Sequence, residues 1–123
     1  MARVLIAEDE AELAATLADV LRGAGHDVCT CSNGEDALAT ARDFQPDLLI
    51  SDWMLGSWVD GVALIERVRG DAPGLSVILM TGYASARLRT WAQTGVDGLL
   101  EKPFSLSEFR ALVERVLPVK EPA

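Results

Sequence analysis

The chain has 123 residues, half of them apolar and 24% charged, the balance of one compact domain with no room for a second. Nineteen acidic against eleven basic residues leave a formal charge of −8, which argues against direct nucleic-acid binding and against an anionic membrane, since both need positive charge to displace counterions. No apolar run approaches the roughly 18 residues that span a bilayer, and Met1-Ala2-Arg3-Val4 has no signal-peptide pattern, so a cytoplasmic protein is expected.

Arg3 to Ala7 is a short apolar, β-branched run that reads as a buried strand. From Ala11 to Leu21 the apolar positions Leu13, Leu17, Val20 and Leu21 recur at helical spacing, and Gly23 and Gly25 stop the helix. Asp27 to Thr30 is a weaker strand. Cys29 and Cys31 around its end alternate onto one face, poorly placed to bond each other, and read as ordinary reduced thiols. Asn33 is the expected N-cap of a helix carrying Ala37, Leu38 and Ala41, which Pro46 blocks from continuing. Asp47 to Ser51 is a central strand, and after the irregular stretch Asp52 to Asp60 a helix runs from Gly61 to Arg69 with Leu64, Ile65 and Val68 inward. Asp71-Ala72-Pro73-Gly74 is a turn, Leu75 to Met80 a strand, and Ala84 to Thr94 a thin helix anchored by Leu88 and Trp91. Val96 to Leu100 is the last strand, and Ser105-Leu106-Ser107-Glu108 is a capping box opening a helix with Leu112, Val113 and Val116.

Continuous apolar strands alternating with amphipathic helices imply a doubly wound, five-stranded parallel α/β sheet of order 2-1-3-4-5, a flavodoxin-like (βα)5 arrangement. Residues 1–118 form the domain and 119–123 a tail or the start of a linker. The polar residues then fall on one edge: Glu8 and Asp9 follow the first strand, Asp52 the third, Thr81 the fourth and Lys102 the fifth. Singly, Glu8 and Asp9 also read as helix caps, Asp52 as a loop acid and Thr81 as a turn former. Their shared placement at the crevice of such a sheet favours a ligand site. Among nine arginines and two lysines, an ammonium at position 102 stands out, because it can follow a moving negative group where a guanidinium demands planar geometry.

Three carboxylates together are electrostatically costly, since two unit charges about 4 Å apart repel by roughly 4 kcal/mol at an effective dielectric near 20. A hard divalent cation relieves this, and Mg2+ suits an open acidic pocket that leaves positions for water and phosphate oxygens. One histidine and two cysteines make no convincing zinc site.

The motifs Ala7-Glu8-Asp9-Glu10, Ser51-Asp52-Trp53-Met54-Leu55, Met80-Thr81-Gly82-Tyr83 and Glu101-Lys102-Pro103-Phe104 resemble those of the receiver domain of two-component response regulators, over residues 2 to 117. The resemblance implies that Asp52 is the phosphoacceptor, attacking the phosphohistidine of a sensor histidine kinase or of a histidine phosphotransfer protein. It further implies that Glu8, Asp9, Asp52 and the backbone carbonyl of Met54 hold Mg2+, that Thr81 and Lys102 bind phosphoryl oxygens, and that the Lys102-Pro103 peptide is cis. In-line phosphoryl transfer needs a nucleophile, a metal and donors to the equatorial oxygens, and each has a named residue here.

Gly56 stands where the family usually has proline, and Asp60-Gly61 falls one residue late, so the 56–59 loop with Trp58 is expected to be longer. Leu99 occupies the position of an aromatic switch residue, which makes movement of the Thr81-Gly82-Tyr83 loop the expected alternative. Arg87, Arg89 and Trp91 on the fourth helix, with the fifth strand and fifth helix, would form an output face for a downstream protein or a missing output domain. The signalling module is expected to phosphorylate and dephosphorylate itself without turnover on an outside substrate. The competing enzyme reading, a Mg2+-dependent aspartyl-phosphate phosphatase or phosphotransferase, would want a second aspartate where this chain has Met54. A flavodoxin-like cofactor binder would want a phosphate loop where Glu8-Asp9-Glu10 would repel a phosphate.

Overall fold

The computed structural model describes residues 2–55, 60–82 and 95–117. Within them run β1 (Arg3–Ala7), α1 (Ala11–Gly23), β2 (Asp27–Cys31), α2 (Gly34–Phe44), β3 (Leu48–Asp52), α3 (Gly61–Asp71), β4 (Ser76–Thr81), β5 (Gly98–Glu101) and a last helix, Leu106–Val116. The helix expected at 84–94 lies outside the described residues. The strands form one sheet in the order β2-β1-β3-β4-β5, every pair parallel.

Alternation along the strands divides the core into two layers. Val4, Ile6, Leu48, Ile50, Ile78 and Met80 face α1 and the last helix, whereas Leu5, Ala7, Leu49, Val77 and Leu79 face α2 and α3. All these side chains are buried, as expected for strands covered on both faces. The buried stripe of α1 is Ala14, Leu17, Ala18 and Leu21, with Leu13 and Val20 only partly buried against the same core. The last helix is anchored by the fully buried Phe109 beside Leu112 and Val113, while Val116 sits at the margin.

Among the described residues, side chains satisfy three of the four helix starts. Asn33 Oδ1 accepts from the Asp36 N–H at 2.8 Å, Asp60 Oδ1 from the Ala63 N–H at 2.8 Å, and Ser105 Oγ from the Glu108 N–H at 3.0 Å. Glu10, at the start of α1, makes no such bond with its side chain, and its own N–H donates to Glu8 Oε1. Cys29 and Cys31 are free thiols packed toward the α2–α3 layer, and Cys31 Sγ lies 3.3 Å from Thr40 Oγ1.

Gly61 locks α3 against the end of β3. Its N–H donates to the Trp53 carbonyl at 3.0 Å, and a Cβ there would overlap the carbonyl oxygen of Asp52 and stand 2.9 Å from Trp53 Cα. No side chain is compatible with that approach, so Asp60-Gly61 keeps a cap and a contact together. Gly61→Ala is expected to destabilise the domain by about 1–3 kcal/mol, through forced displacement of backbone rather than a flexible side chain, read as a lower urea midpoint at unchanged m-value.

Candidate functional site

All strands point the same way, so their C-terminal ends share one edge of the sheet. Glu8 leaves β1 with its N–H donating to the Cys31 carbonyl at 3.0 Å, and its side chain is 1% exposed. Asp52 ends β3 at 8% exposure, Thr81 ends β4 fully buried, and Asp9 stays exposed. Lys102 follows β5 directly, its N–H donating to the Thr81 carbonyl at 2.7 Å. The next peptide, Lys102-Pro103, is cis, and Phe104 beyond it stacks on Phe109 at 6.1 Å between ring centres.

The Lys102 ammonium bridges two acids from different strands. Nζ lies 2.9 Å from Glu8 Oε2 and 2.8 Å from Asp52 Oδ2. The remaining oxygen of each acid accepts a backbone N–H: Glu8 Oε1 from Glu10 at 3.2 Å and Asp52 Oδ1 from Met54 at 3.2 Å. Each carboxylate is thus held by the ammonium on one side and by its following loop on the other. These two loop N–H groups leave no trace in a side-chain pattern, and nothing in the sequence marks them.

Burial pushes the Glu8 carboxyl up to about 7, opposed by the hydrogen bonds from Lys102 and Glu10 and reinforced by the nearby Asp52 charge. For Lys102 burial works downward, but hydrogen bonds to Asp52 and Glu8 outweigh it and hold the ammonium above its ordinary value. Ligand oxygens of Glu8, Asp9 and Asp52 all lie within 4.8 Å of one another. An all-oxygen set of this compactness, with one exposed member, fits a hard divalent cation that keeps water ligands.

Thus Glu8, Asp9, Asp52, Thr81 and Lys102 meet at one edge. The Met54 side chain is 65% exposed beside them, and Leu99 lies partly buried in β5, packed toward the α2–α3 layer. Tyr83, Arg87, Arg89, Trp91 and Trp58 lie outside the described residues.

A doubly wound parallel sheet thus brings an acid cluster and a lysine together at its crevice, the place where such sheets form ligand sites. The chain matches the response regulator receiver domain over residues 4–114 and belongs to that family, the receivers of two-component systems. It is 36% identical over 124 aligned positions to the phosphate regulon transcriptional regulatory protein PhoB of Rhizobium meliloti, covering 98% of this chain and 54% of that protein. It is 35% identical over 117 positions to the probable transcriptional regulatory protein TcrX of Mycobacterium tuberculosis, covering 91% of this chain and 50% of that one. The chain therefore spans about half the length of these curated relatives. Among solved structures, the non-phosphorylated HemR receiver domain from Leptospira biflexa superposes with a TM-score of 0.89 at 27% identity, covering 100% of this chain and 99% of that one. Chemotaxis protein CheY4 of Vibrio cholerae gives 0.86 at 28% identity, covering 95% and 99%.

A carboxyl whose pKa is raised on folding binds its proton more tightly in the folded than in the unfolded state. In metal-free buffer Glu8 therefore lowers stability progressively as pH rises from about 4.5 to about 7. Carboxyl-carbon NMR should show Glu8 titrating near the upper value, and Lys102→Met should move its midpoint higher still by removing the ammonium.

Proposed function

We propose that the domain accepts a phosphoryl group on Asp52 from the phosphohistidine of a sensor histidine kinase or a histidine phosphotransfer protein. The observation that carries this reading is the Lys102 bridge, which ties Asp52 Oδ2 and Glu8 Oε2 to one ammonium within a compact oxygen cluster. An Asp52 oxygen attacks phosphorus in line, the phosphorus–nitrogen bond of the donor breaks with its electron pair returning to the imidazole, and an acyl phosphate results. Thr81 and Lys102 donate to the phosphoryl oxygens as their charge rearranges. Glu8, Asp9, Asp52 and the Met54 carbonyl would hold Mg2+, which when bound neutralises charge on the transferred group.

Water attack on the acyl phosphate resets the site, so the chemistry is confined to Asp52 and has no outside substrate to turn over. The added charge draws Thr81 and Lys102 toward the phosphoryl group, and the edge from β4 to β5 carries the change outward. With Leu99 in place of an aromatic, the loop through Tyr83 conveys the switch. Contact with a downstream protein or an output domain is assigned to Arg87, Arg89 and Trp91, with contributions from β5 and the last helix. Among the described residues no helix is long and apolar enough to cross a membrane, and a cytoplasmic setting matches a kinase-fed receiver.

Intact-mass measurement after incubation with acetyl phosphate and Mg2+ should show a gain of one phosphoryl group by the wild type and none by Asp52→Asn. No gain by the wild type, or an equal gain by the variant, refutes the assignment. Independently, Mg2+ at a hundredfold excess over its dissociation constant should stabilise the wild type by about 2.7 kcal/mol, and Asp9→Asn should abolish most of that gain, as read by thermal denaturation.

A further inference from the structure

Lys102 is delivered to the site by a short strand at the margin of the sheet. β5 has four residues and pairs on one side only, with β4, its ladder beginning at Ile78↔Gly98. An edge strand of that length is weakly held by its own hydrogen bonds. Just before its first residue the structure adds a second attachment. The Asp97 N–H donates to the Val77 carbonyl at 2.8 Å, and the Val77 N–H donates back to Asp97 Oδ2 at 2.7 Å. A side-chain carboxylate thus supplies an extra rung where the backbone ladder has not yet begun.

Arg69, in the last turn of α3, closes on that rung. Its Nη2 lies 3.0 Å from Asp97 Oδ2 and 3.4 Å from the Leu75 carbonyl, and Nη1 donates to the Gly95 carbonyl. Its Nε is buried with no hydrogen-bond partner among the described residues, so the guanidinium is held through its two Nη atoms. One side chain therefore joins the end of α3, the turn before β4 and the approach to β5. As an isolated ion pair Arg69–Asp97 would contribute little, because Asp97 is 45% exposed. Its weight comes from Val77, a fully buried residue whose N–H has the Asp97 carboxylate as acceptor.

We infer that Arg69 and Asp97 are positioning residues that clamp the entry of β5 and, through the strand, hold Lys102 against Asp52 and Glu8. At about 3.3 Å per residue the clamp acts from roughly 16 Å away, along the extended strand. The inference rests on the reading of Lys102 as a phosphoryl-binding group, and two measurements separate the two ideas.

The first is native-state amide exchange, which needs no phosphorylation. Arg69→Met should lower protection of the Lys102 N–H, bonded to the Thr81 carbonyl, by about tenfold, while the Glu8 N–H, bonded to the Cys31 carbonyl between β1 and β2, keeps its protection. Asp97→Asn, which retains an acceptor for Val77 but loses the charge, should give a smaller loss in the same place. The second is the phosphorylation rate with acetyl phosphate and Mg2+. Arg69→Met should slow it about tenfold, and should add nothing to the slow rate of Lys102→Ala, since both act through one group. Unchanged Lys102 protection, protection lost equally at Glu8 and Lys102, or equal slowing in both backgrounds overturns the clamp. A wild type that takes no phosphoryl group overturns the function of the site, while amide exchange still decides whether Arg69 and Asp97 hold β5.

Discussion

Two buried carboxylates, from β1 and β3, stand together at the crevice with a cation between them. Glu8 and Asp52 have almost no access to water, and their mutual repulsion in that setting is too large to leave uncompensated. The Lys102 ammonium, within 2.9 Å of both, supplies the compensation. A buried charge pair of this kind is poor at stabilising a fold, and its value lies in what it prepares. The acids are desolvated and oriented in advance, so a divalent ion or a phosphoryl group meets donors that need little rearrangement.

The architecture around this bridge is the means of assembling it. Parallel strands put all their C-terminal ends on one edge, and the reversal of strand order places β1 beside β3 at the centre. Apolar side chains on both faces fix each strand in depth, since a slip of one residue would move its whole buried set to the wrong layer. The polar residues then need only follow the last apolar residue of each strand. Gly61 on one flank, and Phe104 on Phe109 on the other, tie the loops that carry Asp52 and Lys102 back to the core.

Much of this was legible in the residues themselves. Runs such as Leu48-Leu49-Ile50 and Val77-Ile78-Leu79 can be little other than strands buried on both faces, and the alternation of such runs with amphipathic helices settles the sheet type. The caps Asn33 and Ser105 announce their helices, and the acids and the rare lysine stand at the strand ends. What escaped was contact made by geometry rather than by pattern. Phe109 lies just inside its helix, at a position the short apolar run Leu112-Val113 does not advertise, yet it fills the core. Ala14 and Ala18 count weakly in any hydrophobic pattern but are buried with Leu17 and Leu21. Asp97 falls inside the predicted Val96–Leu100 strand, but it stands just before β5, where its carboxylate serves as a ladder rung.

The Lys102–Glu8 contact joins residues 94 apart in sequence and spans strands that are not neighbours, for β3 and β4 lie between β1 and β5. It closes only when every intervening strand is in place. A nascent or proteolytically trimmed chain holding β1 to β3 would contain Glu8, Asp9 and Asp52 but not the Lys102 ammonium that balances them. Closure of the site therefore waits on the last strand, and the charge balance at the crevice is a property of the whole sheet and not of any part of it.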